Sequence, residues 1–266
     1  MAANDYPTVD ALAPAATEAK AETVGAGKAT MPLGRAFVLA ILAGLFIGMG
    51  GMFMLLVKSD SSLSFAASSL LGGLSFSLGL FAVLVAGAEL FTGNNLMVLG
   101  CLAGKYTLAQ LIRSWCVVYV GNLVGSLILA AILLAANFAG MNGGAVGETA
   151  VAVATAKSTL PFATAFFRGV MCNILVCLAV WLGFAGKTVL DKFLAAAVPV
   201  TAFVACGFEH CVANMFFLPF GMALSGGSVV LGGVIMNIVA ATLGNMVGGA
   251  LLFAGAYWLA FGKKSA

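Results

Sequence analysis

Charged side chains are scarce in this sequence of 266 residues. Asp, Glu, Lys and Arg together make up 8% of it, whereas hydrophobic residues make up 62% and the mean hydropathy is +1.13. A soluble domain usually has about 25% charged residues, and a chain with so few cannot cover its surface for water. The composition therefore excludes a soluble domain and predicts a membrane protein.

The sequence also lacks the residues of several kinds of functional site. It has one histidine, and its six cysteines form no CxxC pair, so a usual zinc site cannot be assembled. Its 12 Lys and Arg are spread thinly, without the basic patch and interleaved aromatics that bind nucleic acid. Neither a nucleophile–base pair nor a cofactor motif stands out. We therefore predict no metal, no cofactor, no nucleic-acid partner and no enzymatic activity.

The two ends of the chain are more polar than its centre. Residues 1–30 contain no apolar run and lack the charged start and apolar centre of a signal peptide. We predict a cytoplasmic N-terminal tail over residues 1–30, a transmembrane domain over residues 31–262 and a cytoplasmic C-terminal tail over residues 263–266.

Long apolar segments occupy the region between the tails. A helix that crosses about 30 Å of hydrocarbon needs about 20 residues, and six segments qualify. They are residues 36–57, 65–100, 112–136, 160–184, 193–218 and 229–260. Nine Lys or Arg flank these spans on the side of the two termini and two flank them on the other side. This bias predicts that both termini are cytoplasmic, and that residues 138–158 form the longest outer loop.

Two polar segments interrupt the second and fifth spans. They are residues 88–95 and residues 208–214, and the second contains His210. A carboxylate or imidazole at bilayer depth is costly, so such a residue indicates a functional site. The second span is also too long for one straight crossing, and the fifth is interrupted from Gly207. We predict two discontinuous helices that meet at a polar centre.

An internal repeat relates the two halves of the chain at an offset of about 120 residues. The matches are GNLVG at 121–125 with GNMVG at 244–248, Glu89 with Glu209, Asn94 with Asn214 and, loosely, 44–48 with 165–169. The repeat unit is three spans long, and because three is odd the second copy crosses the membrane in the opposite sense. The sequence therefore predicts an inverted repeat, whose paired broken helices put the permeation site near the midplane.

These motifs resemble those of the formate/nitrite transporter family. The matching strings are GAELFTG at 87–93, GNLVG at 121–125, CNILVCLAVW at 172–181 and GFEHCVANM at 207–215. The resemblance extends from about residue 35 to residue 261. It implies an all-α, aquaporin-like protomer in a homopentamer of the bacterial cytoplasmic membrane. Each protomer would have its own pore for a small monovalent anion such as formate, nitrite or hydrosulfide.

The resemblance also implies roles for individual pore residues. Thr92 and His210 would face each other between two apolar constrictions. Lys157 would attract anions above the outer vestibule, and Asn173 would be a polar residue nearby. The inner constriction would consist of Leu80, Leu90 and Phe203, and the outer constriction of Phe76, Phe91 and Val176.

We assign the other polar residues of the two breaks to structural support. A carboxylate lining the pore would repel an anion, so we predict that Glu89 and Glu209 accept hydrogen bonds from backbone N–H groups freed by the breaks. Asn94 and Asn214 are predicted to tie down unwound backbone. Thr92 can cap the half-helix that follows it in addition to lining the pore.

The sequence thus predicts a membrane channel or transporter for small monovalent anions. Formate is favoured because NMFFLP at 214–219 looks closest to formate channels, but GNN at 93–95 departs from their best-known loop, which leaves nitrite and hydrosulfide as alternatives. A bare anion loses much hydration energy between apolar rings and its neutral acid does not, so we hypothesise proton uptake at His210. An aquaporin-like channel for neutral solutes is the alternative from another class, although the paired Asn-Pro-Ala boxes are missing from the breaks.

Overall fold

The structure, a computed structural model, describes residues 10–262 and contains no β-strand within them. Its α-helices are α1 (Pro14–Ala29), α2 (Leu33–Lys58), α3 (Phe65–Ala82), α4 (Val98–Leu102), α5 (Leu108–Ala135), α6 (Ala145–Ser158), α7 (Phe162–Ala185), α8 (Val189–Ala205), α9 (Cys211–Leu224), α10 (Leu231–Met246) and α11 (Gly255–Phe261). Two π-helical segments, Val83–Gly87 and Val247–Ala254, extend α3 and join α10 to α11, and a 3₁₀ turn at Gly93–Met97 precedes α4.

Five continuous helical segments of the described chain are long and apolar enough to cross a membrane. They are Leu33–Lys58, Phe65–Gly87, Leu108–Ala135, Phe162–Ala185 and Leu231–Phe261. The remaining predicted span, residues 193–218, is divided between α8 and α9, which are 17 and 14 residues long. The fold is therefore all-α, with six crossings, and its second and fifth crossings are broken as the sequence predicted.

Glycines terminate the first half of each broken crossing. Gly87 is the last residue of the π segment after α3 and has φ +85°, and Gly207 follows α8 with φ +67°. Glycine adopts this left-handed conformation without a steric cost, which is why it commonly ends helices. Both breaks therefore start at equivalent glycines, 120 residues apart.

Glycines also bring α2 against α5 and α7 against α10. A Cβ atom at Gly125 would lie 2.0 Å from the Ile41 carbonyl oxygen, and one at Gly248 would lie 2.1 Å from that of Val170. Any side chain there would collide with backbone, so these glycines permit direct helix–helix contact. The same contact occurs once in each half, as the inverted repeat requires.

This equivalence corrects one of the repeat matches. Since Gly125 corresponds to Gly248, Ile41 corresponds to Val170, at an offset of 129 rather than 121 (170 − 41). The loose match of residues 44–48 with 165–169 is therefore wrong. The offset changes along the chain because α2 with its connection to α3, and then the segment from α3 to Gly87, are each longer than their counterparts in the second half.

Two further helices, α1 and α6, form a pair of the same kind. The first ends within the string KATMP at 28–32 and the second within KSTLP at 157–161, again at an offset of 129. Their C-caps, Thr30 and Thr159, share the backbone angles φ −100° and ψ −1°. The prediction of a loop over residues 138–158 is wrong for most of its length, because α6 packs its small residues against α9. Each repeat thus begins with a short helix before its first crossing.

Helix α1 lies within residues 1–30, the predicted tail, and is docked against the transmembrane helices. Its Lys20 donates to the Phe184 carbonyl near the end of α7 at 2.7 Å. Arg113 of α5 donates to the Ala29 carbonyl at the end of α1 at 2.9 Å. Basic groups at helix C-termini are electrostatically favourable, so these two contacts hold α1 in place.

The docking of α1 is expected to weaken as pH rises. Glu18 is 3% exposed and lies beside Glu22, which pairs with Lys105 at 2.7 Å. Burial and the hydrogen bond with Glu22 raise the pKa of Glu18 from 4.5 to about 7. The docked helix therefore holds a proton that a free carboxyl releases above pH 4.5, so docking loses stability between pH 4.5 and about 7.

Hydrogen exchange of the α1 amides, corrected for intrinsic rates, measures this effect. Protection should be lower at pH 8 than at pH 5.5 in the natural chain, and Glu18→Gln should remove the difference. Thr23→Ala, on the exposed side of α1, is the control and should keep it. Equal protection at both pH values in the natural chain would contradict this account.

Candidate functional site

Thr92 and His210 lie together where the two breaks meet. Thr92 Oγ1 is 2.9 Å from His210 Nε2, and the residues are 118 positions apart in the sequence. Their exposed fractions are 0% and 2%. The structure thus brings the two residues face to face at a buried polar centre.

Hydrogen bonding fixes which nitrogen of His210 carries the proton. Nδ1 accepts the backbone N–H of Ala213 at 3.0 Å, which makes His210 the N-cap of α9. A neutral imidazole has one donor and one acceptor nitrogen, so the proton resides on Nε2 and is donated to Thr92. The hydroxyl hydrogen of Thr92 is then free to point elsewhere. Thr92 itself makes no side-chain cap for the 3₁₀ turn that follows it, so the capping prediction is wrong for Thr92.

The backbone of Thr92 is held from α7. Asn173 Nδ2 donates to the Thr92 carbonyl at 3.3 Å and to the Asn245 carbonyl at 2.7 Å. The Cys177 thiol lies 3.7 Å from the same Thr92 oxygen. Asn173 lines neither of the vestibules described below. Its contacts are those of a residue that positions Thr92.

Two asparagines that the sequence analysis assigned no role hold the breaks open. Asn122 accepts the Phe91 N–H at 2.9 Å through Oδ1 and donates to the Glu89 carbonyl at 2.8 Å through Nδ2. Asn245 accepts the Cys211 N–H and donates to the Glu209 carbonyl, both at 2.9 Å. Each asparagine is the second residue of a repeated GNLVG or GNMVG string, and this duplication of a polar residue inside an apolar span was the available signal.

The carboxylates of the two breaks are bound by side chains. Lys28 Nζ lies 2.9 Å from both oxygens of Glu89 and 2.8 Å from Asn94 Oδ1, and Asn94 Nδ2 donates to Glu89 at 2.8 Å. The prediction that these carboxylates accept freed backbone N–H groups is wrong, because the asparagines of α5 and α10 take that role. Lys28 is not among the predicted site residues, because it lies within residues 1–30, the predicted tail.

The second break repeats this arrangement. Lys157 Nζ lies 2.9 Å from Glu209 Oε1. Asn214 and Asn237 donate to Glu209 Oε2 at 2.7 and 3.2 Å. Lys157 is therefore the counterpart of Lys28 and is paired with a buried carboxylate, and Asn94 and Asn214 bind carboxylates rather than unwound backbone.

Cavities approach the polar centre from both sides. The Lys28 vestibule, of about 480 Å³, is lined by Lys28, Arg35, Glu89 and Leu90 among others. The Lys157 vestibule, of about 230 Å³, is lined by residues that include Lys58, Lys157, Arg168, Glu209 and His210. His210 therefore reaches the second vestibule directly.

An apolar gap without room for a water molecule separates the two vestibules. It is lined by Ile47, Phe76, Leu80, Leu90, Val176, Val200, Phe203 and His210. Five of the six predicted constriction residues lie here. The sixth, Phe91, packs instead against the rings of Trp115 and Tyr119, with centroids 6.0 and 4.9 Å away.

The gap does not divide into an inner and an outer ring. The rings of Phe76 and Phe203, assigned to different constrictions, are in edge contact with centroids 5.9 Å apart. Both also line the Lys157 vestibule. One continuous apolar plug therefore separates the two vestibules, with His210 among its lining residues.

The family model for formate/nitrite transporters matches residues 15–259, a range that includes α1 and both breaks. The chain belongs to the formate/nitrite transporter family. Members of this family, including the relatives named below, are channels or transporters. This relationship and the five long apolar helical segments show that the protein is a multi-pass membrane protein.

This family member is 35% identical over 276 residues to the formate channel FocA of Escherichia coli (strain K12), with 96% of each chain covered. It is 34% identical to the nitrite transporter NirC of Salmonella typhimurium, covering 92% of this chain and 90% of NirC. A solved pentameric formate channel with formate bound is 38% identical, with a TM-score of 0.78 over 87% of this chain and 98% of that one.

Proposed function

We propose that this protein is a pore for small monovalent anions, with formate as its main substrate, and that it assembles as a homopentamer with one pore per protomer. The Thr92–His210 pair carries the proposal, because His210 lines both the Lys157 vestibule and the apolar gap and so places polar groups where an anion must lose its water. The likeness to a pentameric channel with formate bound supports both the substrate and the assembly. Nitrite is the second candidate, since a nitrite transporter is almost equally similar.

At the polar centre an anion meets donors rather than a fixed positive charge. Nε2–H of His210 orients the Thr92 hydroxyl, which is left free to donate to the anion. Helix α9 also begins at this point, and a helix N-terminus carries a partial positive charge that favours anions. These groups lower the cost of removing water from formate before it reaches the apolar gap.

We infer that formate crosses the apolar gap as the neutral acid. Formate takes up a proton carried by water in the vestibule beside His210. The formic acid that results has no charge, so it loses less hydration energy than formate when it enters the plug. Neutral imidazole suits this role, because protonation at Nδ1 would break its cap on the Ala213 N–H. Charge is restored when the proton is released into the opposite vestibule.

We also propose that both termini are cytoplasmic in a bacterial cytoplasmic membrane. The excess of Lys and Arg on that side of the spans supports this orientation. The Lys28 vestibule then opens to the cytoplasm and the Lys157 vestibule opens outside.

Anion flux in proteoliposomes tests these proposals. Formate, nitrite and hydrosulfide are compared across a controlled pH gradient, and the orientation is read from labelling of a cysteine introduced at Asp60, between α2 and α3. We expect selective anion flux, largest for formate, that rises with acidity on the side from which the anion enters. Water and glycerol are the controls, and their permeation without anion flux would show a neutral-solute channel instead.

A further inference from the structure

Three basic residues line the Lys157 vestibule, but one of them is already neutralised. They are Lys58, Lys157 and Arg168. Lys157 forms an ion pair of 2.9 Å with Glu209, and the exposed fractions of the two side chains are 17% and 2%. A pair held this closely acts on a distant anion as a dipole rather than as a full charge. Lys157, the residue predicted to attract anions, therefore contributes little net charge to the vestibule.

The other two cations have no such partner. Among the described residues, ion pairs join acidic groups to Lys28, Lys105 and Lys157, and none includes Lys58 or Arg168. Glu209 is the one acidic residue lining this vestibule. The vestibule consequently has a net charge of two positive units, whereas the Lys28 vestibule, with Lys28, Arg35 and Glu89, has one.

The inverted repeat shows that the fold does not require an arginine at position 168. The Arg168 carbonyl accepts the N–H of Glu209 at 3.3 Å, and the Leu39 carbonyl accepts the N–H of Glu89 at 3.2 Å. Leu39 is thus the counterpart of Arg168, and it lines the Lys28 vestibule at the equivalent place. The backbone carbonyl of a leucine thus makes the same hydrogen bond at the first break. The exposed guanidinium of Arg168 is therefore not needed for the structure of the second break.

We propose that Arg168 and Lys58, rather than Lys157, capture anions at the mouth of the Lys157 vestibule. This inference rests on the proposed function and names the charges that serve it. Unpaired charges in a cleft with apolar walls raise the local concentration of the oppositely charged solute. Their effect is screened by salt, because the Debye length falls from about 10 Å at 0.1 M to about 3 Å at 1 M.

The half-saturating formate concentration for flux distinguishes capture from a structural role. At low ionic strength we expect it to rise about fivefold in Arg168→Gln and in Lys58→Gln, and further in the double variant, with the maximal rate unchanged. Arg168→Lys should restore most of the loss because it keeps the charge. The differences should shrink at 1 M salt.

Lys192→Gln is the matched control, since Lys192 of α8 lines neither vestibule. The inference would be overturned if the double variant kept a normal flux and an unchanged half-saturating concentration. It would also be overturned if that concentration rose equally in Lys192→Gln. Neither result would contradict the proposed function. A rise that persists at 1 M salt would also overturn the inference. Absence of flux for all three anions in the unmodified protein would instead contradict the proposed function.

Discussion

Replacing Asn122 with leucine should destabilise the protein by on the order of 3 kcal/mol and abolish anion flux. Leucine is similar in size but has no polar atoms, so the Phe91 N–H and the Glu89 carbonyl would lose their partner inside the membrane. Buried backbone groups without a hydrogen bond are costly there because no water can replace the lost contact. The break would then rearrange and Thr92 would move away from His210.

The thermal unfolding midpoint of the purified protein and its formate flux measure this effect. Asn245→Leu should behave alike, because Asn245 makes the same contacts at the second break. Ser126→Ala is the control: it lies one turn beyond Asn122 on α5, is equally buried, and makes a single long hydrogen bond of 3.5 Å to Gly44. A midpoint in Asn122→Leu no lower than in Ser126→Ala would refute the role given to the asparagine.

Replacing His210 with phenylalanine should reduce proton-coupled formate flux at least about tenfold, equivalent to about 1.4 kcal/mol. The change removes the donor to Thr92 and the acceptor that caps α9. Loss of an N-cap alone costs about 1 kcal/mol of stability, so this variant cannot separate folding from transport. His210→Asn does so, because asparagine is a good N-cap and its side-chain oxygen can accept the Ala213 N–H.

We therefore expect His210→Asn to keep the thermal unfolding midpoint of the natural protein while losing flux driven by the pH gradient. The measurement is formate uptake at several external pH values in all three proteins, beside their unfolding midpoints. Unchanged pH-driven flux in an intact His210→Phe protein would exclude the histidine from proton coupling. Loss of flux in the phenylalanine variant but not in the asparagine variant would assign it to helix capping instead.

Local properties of the chain could be predicted well from the sequence. The spans, the two breaks and their inverted relation follow from apolar length, from Gly87 and Gly207, and from duplicated motifs. The meeting of Thr92 with His210 came from family resemblance. The spans, the breaks and the repeat depend on neighbours within one segment or on the equivalence of two segments, which a sequence displays directly.

The partners of the polar groups could not be predicted in the same way. Phe91 finds its acceptor on Asn122, 31 positions away, and Glu89 finds its cation on Lys28, 61 positions away. Each contact depends on how closely two helices approach and at what angle, and apolar patterns do not specify this. For that reason the carboxylates were given the wrong donors and α1 was predicted as part of a tail.

Hydrophobicity and glycine conformation act locally, so the amino-acid sequence is enough to predict a membrane protein with two broken helices related by an inverted repeat. The helix packing, in contrast, pairs Lys157 with Glu209, leaves Arg168 and Lys58 without an acidic partner among the described residues, and places the proton of His210 on Nε2. These properties depend on which side chains lie within hydrogen-bonding distance, and that is fixed by the packing of helices distant in sequence.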